Sequence, residues 1–210
     1  MSAPGEATPR RDPAVPPLQA EDHVCAGCAM AYAEVSVEQA VQQIALVPDR
    51  VRTAVAAVDA SVRPDVLRQR PDSDTWSVTE YACHVRDVYV TYTIRLHRAR
   101  TEDRPVLEPM LNDLRVRRFR YNERDLAAVL DELAAAATGF CEEAHRNQGE
   151  QWNRTVTRLP GEERTARWLV RQALHEGLHH IDDIRRVGEE VVSRPAAEHP
   201  DPDGHPPRGG

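Results

Sequence analysis

Residues 174–184 read Leu-His-Glu-Gly-Leu-His-His-Ile-Asp-Asp-Ile, with three imidazoles and three carboxylates among aliphatic side chains. The aliphatic residues recur at the spacing of an amphipathic helix. Because residues four apart share a helix face, two pairs are placed to chelate one metal: His175 with His179, or Glu176 with His180. Imidazole and carboxylate are both zinc ligands. The face on which each pair lies therefore decides whether the helix carries a buried metal site.

Helical phase separates the two pairs. At about 100° per residue, the apolar side chains of this helix point in one direction, and His180 lies at the edge of their stripe with Glu176 on the same flank. His175 and His179 point about 160° away from the apolar direction, among arginine and glutamine side chains. We therefore predict that Glu176 and His180 face the protein interior and that His175 and His179 face solvent.

Composition indicates one domain with tails. The chain has 210 residues, its 27 basic residues are all arginine, and its formal net charge is −7. This charge argues against non-specific nucleic-acid binding, which needs a basic surface. No apolar run is long enough for a transmembrane helix, and the N-terminus lacks the apolar segment of a signal peptide. We expect a cytoplasmic monomer or homodimer with a small-molecule substrate and neither a membrane nor a nucleic-acid partner.

Two capping-box patterns mark the first two helices. Ser36–Gln39 has the Ser-x-x-Gln form, and Ser77–Glu80 has the Ser-x-x-Glu form before a helix that runs to about Arg100. Pro48 either kinks the first helical segment or begins a second one.

Two further helices follow a long connection. Asn122 can cap a third helix that ends near Arg146, and the last helix runs from about Glu163 to Val187, where Gly188 is a natural stop. No alternating apolar pattern is strong enough to predict a strand.

The helix pattern predicts an all-α fold. Four helices with one connection of roughly 20 residues imply a bundle with a crossover between the second and third helices, and such bundles commonly hold metals between facing helices. We assign residues 36–190 to this bundle and residues 21–35 to a lead-in segment with a Cys-x-x-Cys motif. The tails, residues 1–20 and 191–210, lack the apolar content needed to fold and are predicted to be disordered.

Two ligands from one helix do not hold a catalytic metal, so a third must come from elsewhere. The best candidate is His84 on the second helix, because it flanks the apolar stripe there as Glu176 does on the last helix. Cys83 projects from another side of that helix and is left out of the predicted ligand set.

Cys25 and Cys28 form half of a zinc-binding motif, since two cysteines separated by two residues chelate well. In a cytoplasmic chain, cysteines are more often thiols or metal ligands than disulfides. No second Cys-x-x-Cys follows. A second metal site, a redox-sensitive pair and an inert relic all remain open for Cys25 and Cys28.

The motifs together resemble those of the DinB/YfiT-like superfamily. They are Trp76-Ser77, Cys83-His84-Val85-Arg86-Asp87-Val88, Arg104-Pro105 through Pro109-Met110, and His175-Glu176-x-x-His179-His180-x-x-Asp183. Within it the chain is most similar to the actinobacterial branch related to mycothiol-dependent maleylpyruvate isomerases. The resemblance implies a four-helix bundle with a divalent metal held by His84, Glu176 and His180.

A metal held by two histidines and one carboxylate keeps a position for water or a thiol. Bound water can become hydroxide and bound thiol is deprotonated, which gives hydrolysis or thiol addition respectively. The resemblance favours a thiol such as mycothiol, acting in S-transfer or isomerisation of a small electrophile. Asp87 and Asp183 are candidates to orient a ligating imidazole.

Two alternatives accompany this thiol-dependent enzyme: a metal-dependent hydrolase, and a non-catalytic metal-binding or sensor bundle. Zinc is the expected metal, although nickel, iron or manganese accept the same donors.

Overall fold

The described part of the protein contains five α-helices and one short β-hairpin, together with several single turns of 3-10 helix. The computed structural model describes residues 17–58 and 65–194. The elements in chain order are α1 (Val37–Ala56), α2 (Val78–Thr101), α3 (Asn112–Arg118), α4 (Leu126–His145), β1 (Thr155–Thr157), β2 (Glu163–Thr165) and α5 (Ala166–Ser193).

The four long helices form the predicted all-α bundle. α2 packs against α4 and α5, and α1 packs against the same two helices. The cyclic order is therefore α1, α5, α2, α4, in which α1 lies diagonal to α2 and α4 lies diagonal to α5, whereas α2 and α4 are neighbours. The crossover between α2 and α4 contains α3. Within the described ranges, no helix has both the length and the apolar character that crossing a bilayer demands.

Local sequence explains where α1 and α2 begin. Both predicted capping boxes are present: Ser36 accepts from the Gln39 backbone, Ser77 accepts from the Glu80 backbone, and each partner side chain caps in return. Pro48 neither splits nor ends α1, which continues to Ala56 with the proline ring buried in the core. Since proline has no backbone N–H, α1 lacks one helical hydrogen bond at this position.

The predicted start of the third bundle helix was wrong. Asp125 caps α4 by accepting a hydrogen bond from the Ala127 backbone N–H at 3.0 Å. Asn122 instead uses its Oδ1 to accept from the Ser77 hydroxyl at 2.5 Å, which ties the crossover to the start of α2. A tertiary hydrogen bond therefore claims the side chain that sequence reasoning assigned to a cap.

Both predicted ends of the last helix also differ. Glu163 lies in β2, which pairs antiparallel with β1, a pairing that the sequence pattern was too weak to predict. Thr165 caps α5, and the helix passes through Gly188 to Ser193. A Cβ on Gly188 would lie 2.4 Å from Val58 Cγ2, so this glycine permits close packing and does not stop the helix.

The lead-in segment, residues 21–35, lies across the N-terminal half of α5. Val24 forms a β-bridge with Ala31, and Arg171 on α5 donates to the Val35 carbonyl at 2.8 Å. The Tyr32 side chain is fully buried. This segment covers a face of α5 that α1 and α2 leave open.

The predicted tails lie mostly outside the described residues. At the N-terminal boundary, the Leu18 backbone N–H donates to Glu162 and the Ala20 carbonyl accepts from the Trp168 indole, so residues 17–20 contact the folded domain. At the C-terminal boundary, α5 continues past residue 190 to Ser193. Residues 1–16 and 195–210 lie outside the described ranges.

Candidate metal centre

The three predicted metal ligands converge between α2 and α5. Nε2 of His84 lies 3.2 Å from Oε2 of Glu176, and Nε2 of His180 lies 3.3 Å from the same oxygen. One potential donor atom from each residue falls within 4.8 Å of the others. We call these three residues the triad.

Helix packing brings the triad together. Glu176 and His180 are one turn apart on α5 and face the bundle interior, as the helical phase predicted. His84 is 2% exposed and lies on α2, which packs directly against α5. The site therefore needs two helices that are far apart in sequence to be neighbours in the bundle.

The triad residues set one another's charge. Burial raises the pKa of Glu176, but hydrogen bonds from His180 and His84 outweigh it and hold this pKa well below its usual value. Burial lowers the pKa of His180, but its contacts with Asp183 and Glu176 raise it to about 9. Burial keeps the pKa of His84 below its usual value. The site thus combines a stable carboxylate with one neutral and one readily protonated imidazole.

Asp183 lies where it can orient His180. Its Oδ2 accepts from His180 Nδ1 at 2.9 Å, which points Nε2 of the same ring at Glu176. Burial raises the pKa of Asp183, yet His180 and Arg186 bring it down to about 2. A carboxylate on the far nitrogen is a common support for a metal-binding histidine.

Asp87 has different partners from those predicted. Its carboxylate accepts from Arg115 at 2.6 Å, from the Tyr121 hydroxyl at 2.5 Å and from Arg86 at 2.8 Å. Among the described residues, no hydrogen bond joins Asp87 to His84. The predicted role of Asp87 is therefore corrected: the carboxylate anchors α3 and the crossover to α2.

Gln172 and Tyr32 support the triad, and sequence reasoning missed both. The Tyr32 hydroxyl donates to Gln172 Oε1 at 2.6 Å, and Gln172 Nε2 donates to Glu176 Oε1 at 2.7 Å. Gln172 lies four residues before Glu176, so its place on the same helix face was a usable signal. Tyr32 belongs to the lead-in segment, and no sequence pattern links it to α5.

Two aromatic rings flank the triad. Trp76 lies 5.1 Å from the His84 ring, and Tyr81 lies 5.3 Å from the His180 ring, measured between ring centroids. The Trp76 indole N–H donates to Asp113 of α3 at 3.1 Å, so the crossover holds the Trp76 ring beside the triad. These rings give the site an apolar side next to its polar donors.

The prediction that His175 and His179 face solvent was wrong. His175 is 9% exposed and packs against the rings of Tyr32 and His23. His179 is partly buried, with Nδ1 3.5 Å from Cys25 Sγ. Helical phase correctly predicted that this face of α5 points away from the bundle. The face is nevertheless covered, because the lead-in segment packs on it.

The triad suits a divalent metal. Two imidazoles and one carboxylate are a common catalytic zinc set, and the supports at Gln172 and Asp183 hold Glu176 and His180 in place. Among the described residues, this group contains three donors and no fourth protein ligand. A tetrahedral ion held there would keep one position for a small molecule.

Comparison with known proteins agrees with this architecture. The family model for the DinB superfamily matches residues 43–184. Among solved structures, YfiT from Bacillus subtilis, described as a probable metal-dependent hydrolase with an unusual four-helix bundle topology, matches with a TM-score of 0.66. The match has 18% identity and covers 74% of this chain and 87% of that chain, a likeness that shows the fold. No curated protein matches significantly.

Proposed function

This chain belongs to the DinB superfamily, and on that basis we propose that it is a metal-dependent enzyme whose metal is held by His84, Glu176 and His180. The observation that carries the proposal is the convergence of two imidazoles and one partly buried carboxylate without a fourth protein donor among the described residues. A site of this composition is suited to catalysis because substrate or solvent can complete the coordination.

The chain's own residues set the conditions for such chemistry. A divalent metal would supply a Lewis acid that lowers the pKa of a small nucleophile. Glu176 provides the negative charge, and Gln172 holds its second oxygen. Asp183 fixes the orientation of His180, while the rings of Trp76 and Tyr81 line the adjacent side of the site.

We propose that the nucleophile is a low-molecular-weight thiol of the mycothiol type. The support is the resemblance to mycothiol-dependent isomerases, in which the last-helix pair is glutamate and histidine. Glu176 and His180 are the pair that faces His84 in this protein. The reaction would be S-transfer to a small electrophile or its isomerisation, with zinc as the first metal to test and nickel, iron and manganese as alternatives.

Hydrolysis is the second candidate function. Its support is the description of YfiT as a probable metal-dependent hydrolase, together with a likeness of fold over most of both chains. The same three residues would serve, with water in place of the thiol. The two candidates therefore differ in the nucleophile and not in the metal ligands.

A paired activity assay separates the candidates. Protein purified without a histidine tag and loaded with zinc is incubated with mycothiol and small electrophiles, and separately with ester and amide panels. Glu176→Gln is the negative control, because it keeps the side-chain shape and removes the charge. Asp182→Asn is the matched control, since Asp182 is an exposed carboxylate on α5 paired with Arg185.

The outcomes are distinct. Thiol consumption that depends on Glu176 supports the thiol enzyme. Hydrolysis that depends on Glu176, without thiol consumption, supports the hydrolase and overturns the thiol proposal. A fully loaded protein inactive in both assays contradicts the enzyme proposal and favours a non-catalytic metal-binding bundle.

A further inference from the structure

A second group of metal-ligating side chains lies on the neighbouring face of α5. Cys25, Cys28, His175 and His179 each place a donor atom within 4.8 Å of the others. We propose that these four side chains bind one zinc ion and thereby fasten the lead-in segment to α5. This inference does not rest on the proposed function, because it concerns other residues and another coordination type.

The cysteine half of this site is a tight loop. The Cys25 backbone N–H donates to the Met30 carbonyl at 3.0 Å, and Val24 bridges to Ala31. Ala29 takes a left-handed φ of 56°, which turns the chain directly after the second cysteine. Cys25 is 7% exposed, and the loop directs its thiol toward α5, with Sγ 3.5 Å from Nδ1 of His179.

The histidine half is one turn of α5. His175 and His179 are four residues apart, and their ring centroids are 5.4 Å from each other. Cysteines separated by two residues and histidines separated by three are the spacings found in zinc sites with two cysteine and two histidine ligands. Both spacings are present here, although the halves come from opposite ends of the described chain.

His175 gives independent support for a ligand at this place. Both of its ring nitrogens are buried and have no hydrogen-bond partner among the residues that the structure describes. Burying an imidazole without a partner is costly, and such groups are rare in folded proteins. A zinc ion would satisfy one of the two nitrogens.

Gly27 shows how closely the loop approaches the helix. A Cβ at this position would lie 2.8 Å from Cε1 of His179. Real Cβ atoms essentially never make such contacts, so a larger residue would displace the imidazole or the loop. The glycine between the two cysteines therefore permits the approach of the thiols to His179.

The ligand set indicates a closed site that stabilises structure. Four protein donors complete tetrahedral coordination, and two thiolates balance the charge of Zn²⁺. The segment fastened in this way carries Tyr32, whose hydroxyl bonds Gln172 beside Glu176. A zinc ion at this site would thus hold in place a support of the triad. A redox pair of Cys25 and Cys28 alone would leave the buried imidazole of His175 unexplained.

Cobalt substitution tests the proposal directly. The tag-free full-length protein is depleted of metal under reducing conditions and reloaded with Co(II), which gives an intense near-ultraviolet charge-transfer band only when thiolates coordinate it. We expect the band in the wild type and its loss in Cys25→Ser/Cys28→Ser, which should also bind one equivalent of zinc fewer than the wild type.

Two variants serve as controls. Cys141→Ser removes a buried thiol of α4 that contacts the Val41 carbonyl, and it should keep the band. Glu176→Gln disrupts the triad and should also keep it, which separates failure of this proposal from failure of the enzyme proposal. X-ray absorption on the wild-type zinc protein needs no variant and should show sulfur at about 2.3 Å from zinc.

Three results would overturn the proposal. They are a wild type without the charge-transfer band, zinc without sulfur neighbours, and a Cys25–Cys28 disulfide found by mass spectrometry in protein purified without oxidant. The last result would assign the pair to redox chemistry.

Discussion

Each of the two candidate metal clusters includes two α5 residues that are four positions apart, and the two pairs are offset from each other by one residue. Glu176 and His180 face α2, where His84 completes a group of three donors. His175 and His179 face the lead-in segment, where Cys25 and Cys28 complete a group of four. A helix covered on two sides thus presents two different sets of donor atoms, and the segment packed on each face decides the composition of each set.

The clusters also differ in how well they are satisfied without a metal. In the triad, Glu176 bridges two imidazoles and Gln172 bonds its other oxygen. In the other group, which we call the cysteine-histidine cluster (Cys25, Cys28, His175 and His179), both nitrogens of His175 lack a hydrogen-bond partner within residues 17–58 and 65–194. The polar atoms of the triad are therefore hydrogen-bonded to one another, whereas the second cluster contains a buried imidazole without such a bond, which is energetically costly.

Asp183 lies between the clusters. Its Oδ2 is 2.9 Å from Nδ1 of His180 and 3.6 Å from Nε2 of His179. A single carboxylate thus contacts one imidazole of each cluster, and a change at Asp183 should affect the triad more strongly because that contact is shorter.

The largest expected effect comes from Glu176→Gln. Loss of the only carboxylate of the triad should remove that metal and lower activity by more than the roughly 10–100-fold that outer supports contribute. The cysteine-histidine cluster should keep its zinc. The measurement is elemental analysis alongside the activity assay, with His175→Ala as the counterpart that loses the other ion. Loss of both ions in Glu176→Gln would contradict the independence of the clusters.

The next effect is a pH dependence of metal binding by the triad. In the metal-free protein the pKa of His180 is raised to about 9, so the ring is protonated at neutral pH and the metal must displace that proton. Affinity should rise by about tenfold per pH unit from 7 toward 9 and level off above. Calorimetric titration of the Cys25→Ser/Cys28→Ser variant isolates the triad. A flat profile would disprove the assigned protonation.

Asp183→Asn should weaken the triad without abolishing it. Removing the carboxylate that orients His180 is expected to reduce metal affinity about 10–100-fold. Asp182→Asn is the matched control, because Asp182 is exposed and paired only with Arg185 in the described structure. Competition with a zinc-binding dye gives the affinities. Equal losses of metal affinity in Asp183→Asn and Asp182→Asn would show that Asp183 does not support the metal site.

Tyr32→Phe tests the link between the clusters. It removes one buried hydrogen bond and leaves Gln172 Oε1 without this donor, which should lower the free energy of unfolding by about 1–3 kcal/mol. Both metals should remain bound. Urea unfolding measures the change, and Tyr32→Phe in a Gln172→Leu background should cost less, since the hydrogen bond is already absent. Equal costs in both backgrounds would show that the bond contributes nothing.

The smallest expected effect is that of Gly27→Ala. The added methyl group meets His179 and should weaken zinc binding by the cysteine-histidine cluster a few-fold, since the end of the imidazole can shift slightly. Gly139→Ala on α4 is the matched control, because a Cβ there contacts nothing within 4 Å. Unchanged zinc affinity in Gly27→Ala would show that zinc binding does not depend on the close approach of the loop to His179.

Local sequence patterns correctly predicted the features of the fold that depend on residues close together in the sequence. The capping boxes at Ser36 and Ser77 begin α1 and α2 because the cap and its partner lie within four residues. The inward direction of Glu176 and His180 followed from helical phase alone. Asn122 was misassigned because its side chain bonds Ser77 across the fold, and Gly188 because a close helix contact requires a small residue there.

The sequence by itself determined the bundle helices, the pairs at 175/179 and 176/180, and His84 as the triad's third member. Helical periodicity and the chemical types of side chains within a few helical turns of one another can both be read directly from the sequence. Only the tertiary structure decided that Cys25 and Cys28 meet His175 and His179, and that Asp87 holds α3. These contacts depend on which segments pack together, and the free energy that selects the packing comes from the whole buried surface of the domain.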